Sequence, residues 1–325
     1  HPLPNGLDQN RQDINVNGTN TRLSISGGDV GSNSSVFTNS GGQVVLDPGY
    51  FIFHFDDINP DPWNKVLGLP QGRLISQLIP DPNYLIPHTG TLPTYTKMND
   101  GIDPGCSLAT PAAVPAGAVC YKPGIYSAKF RDNKNTDVSY LEPGRYFFNG
   151  GLDISGSLIG GNVTGGQGVI IWVPKNASIA LNNALKISLN YGPDTCTQDS
   201  CRSGPALDED LTPLRTPQGL NLTIEVEKDS SCFVGLTPLE ACSGTSVLTM
   251  PGNGNSLIGG VVYAPSDKIV VSGNNSNSVG TVGQIIGWTV TYQGGAELNQ
   301  VYPGIEGPGI LRLDEACSAF NSPCN

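Results

Sequence analysis

Apolar residues along this chain fall in short runs whose period is close to two, and Gly, Asn, Pro or Ser bounds almost every run. RLSISG (Arg22 to Gly27), QVVLDPGYFIFHF (Gln43 to Phe55), GVIIWVP (Gly168 to Pro174), LKISLN (Leu185 to Asn190) and LNLTIEVE (Leu220 to Glu227) are examples, and the stretch from Gly259 to Asn299 contains several more. β-branched and aromatic residues alternating with polar ones between turn formers predict strands. Helical spacing is found only in GRLISQLI (Gly72 to Ile79) and LDEACSAF (Leu313 to Phe320). The pattern predicts an all-β chain.

Two repeats narrow the architecture. A Pro-Gly turn leading to Tyr recurs as DPGY (Asp47 to Tyr50), KPGIY (Lys122 to Tyr126) and EPGRY (Glu142 to Tyr146), each delivering the chain into an apolar strand. Pro presets φ, and Gly accepts the positive φ that such a turn requires. In addition, IGGVVYAPSDKIVVSGN from Ile258 aligns with VGQIIGWTVTYQGG from Val282, an offset of 24 residues. That offset suits one coil of a repeat architecture. The expected fold is therefore a right-handed parallel β-helix, a β-solenoid in which Val, Ile and Leu stack inward while small polar residues face out. Val261, Val262, Ile269, Val271, Ile285, Ile286 and Val290 are the expected rungs, with a corner at Gly273 and Asn274. A β-sandwich or jelly roll is the alternative, since alternating strands with Pro/Gly turns read similarly.

The domain organisation follows from where the pattern lapses. Residues 1–21 form a polar, Asn-rich N-terminal arm with little to bury, and residues 22–325 form the solenoid domain. Pro-rich excursions interrupt it at 57–120 and 191–217, and a tail follows residue 305. Such an arm is expected to dock, either within its own chain or by strand addition on a neighbouring subunit.

Composition changes the picture mainly by exclusion. The 325 residues can bury a sizeable core, but charged residues are only 14%, and 42 Gly with 26 Pro give a turn-rich chain. A net charge of −11 with 17 Lys plus Arg excludes the basic footprint that nucleic acid or an anionic membrane would need. No run approaches the roughly 18 apolar residues of a membrane helix.

Eight cysteines fall into four local couples: Cys106 with Cys120, Cys196 with Cys201, Cys232 with Cys242, and Cys317 with Cys324. Nearest-neighbour disulfides close these loops without threading one through another. They imply an oxidising compartment. Sequons at Asn17, Asn33, Asn162, Asn176, Asn221 and Asn274 agree with that setting, where they would be glycosylation sites. The chain opens at His1 with no Met and no signal-like segment, so the expectation is a mature, secreted form at the cell surface or outside the cell.

Candidate chemistry is sparse. Paired carboxylates of the kind a glycosidase needs occur in HFDDINPDPW (Asp56, Asp57, Asp61) and LDEDL (Asp208, Glu209, Asp210). Asp beside Asn and Pro is, however, an ordinary turn former. His54 alternates with Phe51, Phe53 and Phe55, which makes it a packing or surface residue, and His88 has no nucleophile motif nearby. Trp63, Trp172 and Trp288 could stack on sugars but are isolated. GGNVTGGQG (Gly160 to Gly168) lacks the Lys-Ser/Thr of a phosphate loop, and no Cys/His cluster suggests a metal. The expectation is no catalytic residue, no metal and no cofactor.

The order of motifs resembles a known family. LEPGRYFFNGGLDISG (Leu141 to Gly156), then QGVIIWVPKNASIALNN, then SLIGGVVYAPSDKIVVSGNNS with VGQIIGWTVTYQGGAELN, is similar to the C-terminal region of Tad/Flp pilus-assembly TadG-like surface proteins. The similarity runs from about Leu141 to Tyr302, half of the chain. Members of that family usually carry an N-terminal membrane helix, which these residues do not include. The resemblance implies a structural role at the cell surface with no catalytic set. The expected function is a non-catalytic component of the cell surface or of a pilus-like extracellular filament, self-associating through solenoid ends and the N-terminal arm. Other copies of the same chain and surface glycans are the expected partners. A polysaccharide-active lyase or glycosidase, or a carbohydrate-binding adhesin, is the alternative.

Overall fold

The computed structural model describes residues 14–26, 30–32, 36–46, 51–54, 66–67, 71–74, 92–109, 111–132, 136–161, 168–181, 183–189, 222–234, 237–238, 247–251, 256–273 and 280–301. Strands dominate, and 21 of those among the described residues join one curled sheet in which every pairing is parallel. Because a parallel neighbour cannot be reached by a hairpin, the chain closes a circuit before each return. It visits three ladders in rotation.

The first ladder stacks Val119–Tyr121, Val138–Leu141, Ser157–Gly160 and Lys186–Leu189 in that order. The second stacks Thr94–Tyr95, Gly124–Tyr126, Gly144–Phe148, Val169–Val173 and Leu222–Val226. Phe130–Arg131, Leu152–Asp153, Ile179–Ala180 and Val247–Pro251 make the third. Ser256–Ser272 and Gly280–Gln293 are long enough to cross all three ladders, bending through register shifts at Ile258/Val261 and Ala264/Lys268. Bulges of this kind turn a strand without breaking its pairing.

The 24-residue offset is a true register, since Ile258 pairs with Val282. Three residues are shed at the bends, so Ile269 pairs with Val290 at an offset of 21. Of the expected rungs, Val262, Ile269, Val271 and Val290 lie in the interior cluster, with Ile285 packed against it. Val261 is equally buried but belongs to the opposite face, and Ile286 shares its parity with Tyr263. The corner at Gly273 is tight because any Cβ there would meet the Ala296 backbone of the next circuit at 2.5 Å.

Alternation along each strand converts directly into columns. On the third ladder, Phe130, Leu152, Ile179, Leu248, Ile269, Val290, Ile14 and Val36 succeed one another in register. On the second, Tyr146, Ile171, Ile224, Val262 and Ile285 do the same. Each inward side chain rests on the rungs above and below it, so burial is nearly total with few charged groups needed on the surface.

The PG-Tyr motif is the corner between the first and second ladders. In both described copies the Tyr hydroxyl donates back to the carbonyl four residues earlier, Tyr126 to Lys122 at 2.7 Å and Tyr146 to Glu142 at 2.7 Å. Gly144 takes φ +145, and a Cβ on it would strike Pro123 at 2.4 Å. Stacked corners thus require Pro below and Gly above. DPGY, between Gln43–Leu46 and Phe51–His54, lies outside the described residues.

Several expectations need correction. The N-terminal arm is not wholly polar and unburied: Ile14–Asn17 is a strand, with Val16 and Thr21 fully buried. Its INVN alternation presents one apolar face, which the surrounding Asn residues obscure. It docks within its own chain, between Gly280–Gln293 and Val36–Asn39. The first excursion is likewise interrupted by a further circuit, Val66–Leu67 and Gln71–Leu74. Gly72 to Leu74 is consequently strand rather than helix, because parallel pairing with Phe51–His54 supplies its backbone partners and overrides local spacing. The second excursion, 191–217, the tail, and the expected helix at 313–320 lie outside the described residues.

The ladder arrangement predicts a sharp contrast within one strand. Ile187 is fully buried, whereas its neighbour Ser188 is on the outer face. I187A should lower unfolding free energy by about 2–5 kcal/mol, and S188A by no more than roughly 0.5 kcal/mol, measured by denaturant unfolding. Equal effects would contradict the assignment of faces.

Candidate functional site

The ends of a parallel stack are where its chemistry is exposed, because strand edges there lack a next rung. At the end formed by Val119–Tyr121 the edge is covered by residues 101–103. Ile102 bridges Tyr121 in antiparallel fashion, Asp103 donates its amide to the Cys120 carbonyl, and Lys122 donates its amide to that of Gly101. Beneath this cover lies an aromatic cluster. Tyr95, Tyr121, Tyr126, Phe130, Tyr146 and Phe148 contact one another with ring centroids 4.8–6.2 Å apart. Burial pushes the Tyr121 hydroxyl up to about 12 and that of Tyr146 well above its ordinary range.

Two carboxylates that sequence reasoning did not single out meet at this cap. Asp103 accepts the Ser107 hydroxyl and amide and the Gly105 amide, with Lys122 Nζ at 3.8 Å. These donors, the Ser107 hydroxyl first, hold its carboxyl down at about 2. Glu142 is fully buried and accepts the Leu108 amide at 2.9 Å, across 34 residues of chain. Burial raises its pKa, the Asp103 charge adds to that, and its second oxygen has no hydrogen-bond partner among the described residues. The Cys106–Cys120 disulfide closes the same loop. A loop of this size gains about 3 kcal/mol from closure. With their oxygens turned to loop amides, Asp103 and Glu142 are staples of the cap. The signal available in the sequence was local: Asp103-Pro104-Gly105 is an Asx-type turn, and Glu142 opens a PG-Tyr corner.

The other feature is a junction between sequence-distant ends of the chain. Arg22–Ser26 pairs over five residues with Glu297–Val301, and Ile14–Val16 pairs with Val290–Tyr292. The buried Thr21 hydroxyl donates to the Asn17 carbonyl at 2.9 Å and accepts the Gly295 amide at 3.1 Å. Arg22 donates its amide to the Ala296 carbonyl at 2.7 Å. One circuit is therefore composite, built partly from the strand before Val301 and partly from Ile14–Asn17.

Most of the remaining sequence candidates are not brought together. Cys106–Cys120 forms as expected, and Cys232 is also disulfide-bonded. Cys196, Cys201, Cys242, Cys317 and Cys324 lie outside the described residues, as do Asp56, Asp57, Asp61, His88, Trp63, Asp208, Glu209 and Asp210. His54 occupies the register position opposite Ser32, sharing parity with the buried Ile52. Asn176 is exposed in the turn after Val173, and Asn17 is half-buried in its strand, while Asn33, Asn162, Asn221 and Asn274 are outside the described residues. No group of three metal-ligating side chains occurs among the described residues, and no described helix is long and apolar enough to cross a membrane.

Comparison with protein-family models, with curated proteins and with solved structures finds no match to the chain.

The cap carries a pH signature. Asp103 is more acidic in the folded state than its ordinary value of 3.8, so its stabilisation is full above about pH 4 and is lost as pH falls through about 2. Hydrogen exchange at the Gly105 and Ser107 amides should accelerate relative to intrinsic rates over that interval, and D103N should remove the transition. An unchanged profile in D103N would contradict the assignment.

Proposed function

We propose that the chain is a right-handed parallel β-helix acting as a non-catalytic structural component of the cell surface or of an extracellular, pilus-like filament. The observation that carries this reading is the three-ladder stack: nearly all side-chain chemistry is spent on holding shape. Self-association through the ends of the stack is part of this reading, since a parallel edge accepts a further rung wherever it is uncovered. The motif order from Leu141 to Tyr302 supports a place near TadG-like surface proteins. Oxidised Cys106, Cys120 and Cys232 support an extracellular setting.

The carbohydrate-binding alternative draws on one observation. The outer face of the second ladder carries Phe147, Trp172, Glu225 and Tyr263 as successive rungs. Such a row of rings and a carboxylate would suit a sugar chain, and Phe147 and Trp172 lie 5.5 Å apart. Phe147, Glu225 and Tyr263 are nevertheless buried at 4%, 3% and 0% exposure, which leaves Trp172 alone accessible. A single ring is a poor glycan platform.

Negative-stain microscopy of native material is the test. Filaments or ordered arrays are expected, with no release of reducing or unsaturated sugars from a panel of polysaccharides. Monodisperse particles that degrade a polysaccharide would contradict the reading.

A further inference from the structure

The two buried carboxylates at the capped end are brought together by one peptide step of the loop between them. The Ser107 amide donates to Asp103 at 2.8 Å, and the next amide, that of Leu108, donates to Glu142 at 2.9 Å. We propose that Asp103 and Glu142 share one proton, carried by Glu142, and that this proton makes residues 103–109 an acid-closed latch, fastened to the second circuit while Glu142 is neutral and released when it ionises.

The distribution of donors is the first support. Asp103 accepts the Gly105 amide at 3.1 Å together with the Ser107 amide and hydroxyl, and Lys122 Nζ stands 3.8 Å away. Glu142 has zero exposure, accepts the Leu108 amide through Oε1, and has no donor at Oε2 among the described residues. A negative charge is thus well accommodated on Asp103 and stranded on Glu142, so a single proton belongs to Glu142.

That proton also supplies the missing bond. Two ionised carboxylates offer only acceptors to each other. Once protonated, Glu142 donates to the Asp103 carboxylate, which lies within hydrogen-bonding reach. Burial is the largest influence holding the proton there and the Asp103 charge adds to it, while the Leu108 amide and the Lys122 ammonium oppose it without cancelling it. The side chains of Tyr95, Tyr126, Tyr140 and Tyr146 face the same carboxyl, and burial keeps all four as neutral hydroxyls. A metal cation would neutralise such a pair in another way. Here, however, the amide hydrogens of Gly105, Ser107 and Leu108 point at the carboxylates, and no third His, Cys, Asp or Glu joins them among the described residues.

The place of Glu142 in the fold makes the proton mechanical. Within the loop the described backbone bonds are local, from the Cys106 amide to the Asp103 carbonyl and from the Ala109 amide to the Cys106 carbonyl. The Cys106–Cys120 disulfide ties the loop to the strand Val119–Tyr121. Glu142 belongs to the next circuit, its own amide donating to the Tyr121 carbonyl, so its carboxyl fastens the loop one circuit further in. Ionising it sets a second negative charge beside Asp103 in a site without water, and the Leu108 bond is the contact that yields. Opening hydrates both carboxylates while the disulfide keeps the loop attached. Because the folded pKa of Glu142 is raised above its ordinary 4.5, this stabilisation is complete below 4.5 and is lost as pH rises through the raised value. Asp103 has the opposite sign, so the latch is tightest in mildly acidic solution.

The experiment uses the full chain with its glutamate carboxyl carbons labelled with carbon-13. The Glu142 resonance, assigned through its own backbone correlations, is titrated by NMR, and hydrogen exchange of the Leu108 amide is followed in the same samples relative to intrinsic rates. Glu142 should titrate above 4.5, and Leu108 exchange should accelerate by up to about tenfold per pH unit between that value and the Glu142 transition, then level off. E142Q, whose carboxamide accepts the Leu108 amide and donates to Asp103, should stay protected throughout. D103N, which removes the neighbouring charge, should move the Glu142 transition down towards 4.5. A Glu142 resonance titrating at or below 4.5, or Leu108 protection that does not follow it, overturns the proposal, and both are read in the unsubstituted chain, so a variant that fails to fold does not shield it. Recovery of Leu108 protection at high pH on adding calcium chloride alone would mark the pair as a cation site and equally overturn the shared proton.

Discussion

Register between parallel rungs is the constraint on which everything else in this protein depends. A parallel strand cannot pair with its sequence neighbour through a tight turn, so each rung must find its partner one full circuit later. Every inward residue in register therefore packs on residues about twenty or more positions away, as far as 69 between Ile179 and Leu248, and shifting one circuit by a single residue would turn its whole apolar set outward. The column from Phe130 through Leu152, Ile179, Leu248 and Ile269 exists only because five separate circuits agree in phase. The same dependence explains the low charge content. Once rungs satisfy each other's backbone groups and bury their side chains, the outer face needs little beyond small polar residues.

Corners enforce that phase. The Pro123/Gly144 contact and the Tyr hydroxyl bonds of Tyr126 and Tyr146 fix where the chain leaves the first ladder and enters the second. Asp132 does similar work between circuits, accepting the Ser155 and Gly156 amides at 2.6 and 2.8 Å. Ends are the complementary problem, since register propagates until something stops it. One end is stopped by the disulfide loop, the 101–103 bridge and the Asp103 and Glu142 staples. At the other, the next rung after Gly280–Gln293 is supplied by strands from both halves of the chain, which turns an edge into a joint.

Much of this was written in local patterns. Period-two alternation identified the strands, and the offset between Ile258 and Val282 identified the circuit, because both are consequences of neighbouring residues facing alternate sides. The PG-Tyr repeat marked corners for the same reason. What local pattern could not convey was pairing between remote segments. Ile14–Asn17 looked polar because only Val16 and Ile14 carry its apolar face, and its partner lies some 275 residues on, at Val290 and beyond. Gly72 to Leu74 has helical spacing taken alone, and only its pairing with the remote Phe51–His54 makes it strand. Glu142 read as a turn residue, and only the return of Leu108 across 34 residues shows it as a buried anchor.

Stacking of the core rungs in the stated order is tested directly by a distance measured along the first ladder. Val119 and Leu257 are exposed on the first ladder, at 40% and 45%. Four rungs separate their strands, through Val138–Leu141, Ser157–Gly160 and Lys186–Leu189. Spin labels on V119C and L257C should give a narrow dipolar distance distribution corresponding to a backbone separation of about 19 Å, at roughly 4.8 Å per rung. A distribution centred beyond roughly 35 Å, more than seven such rungs, would contradict the stacking order.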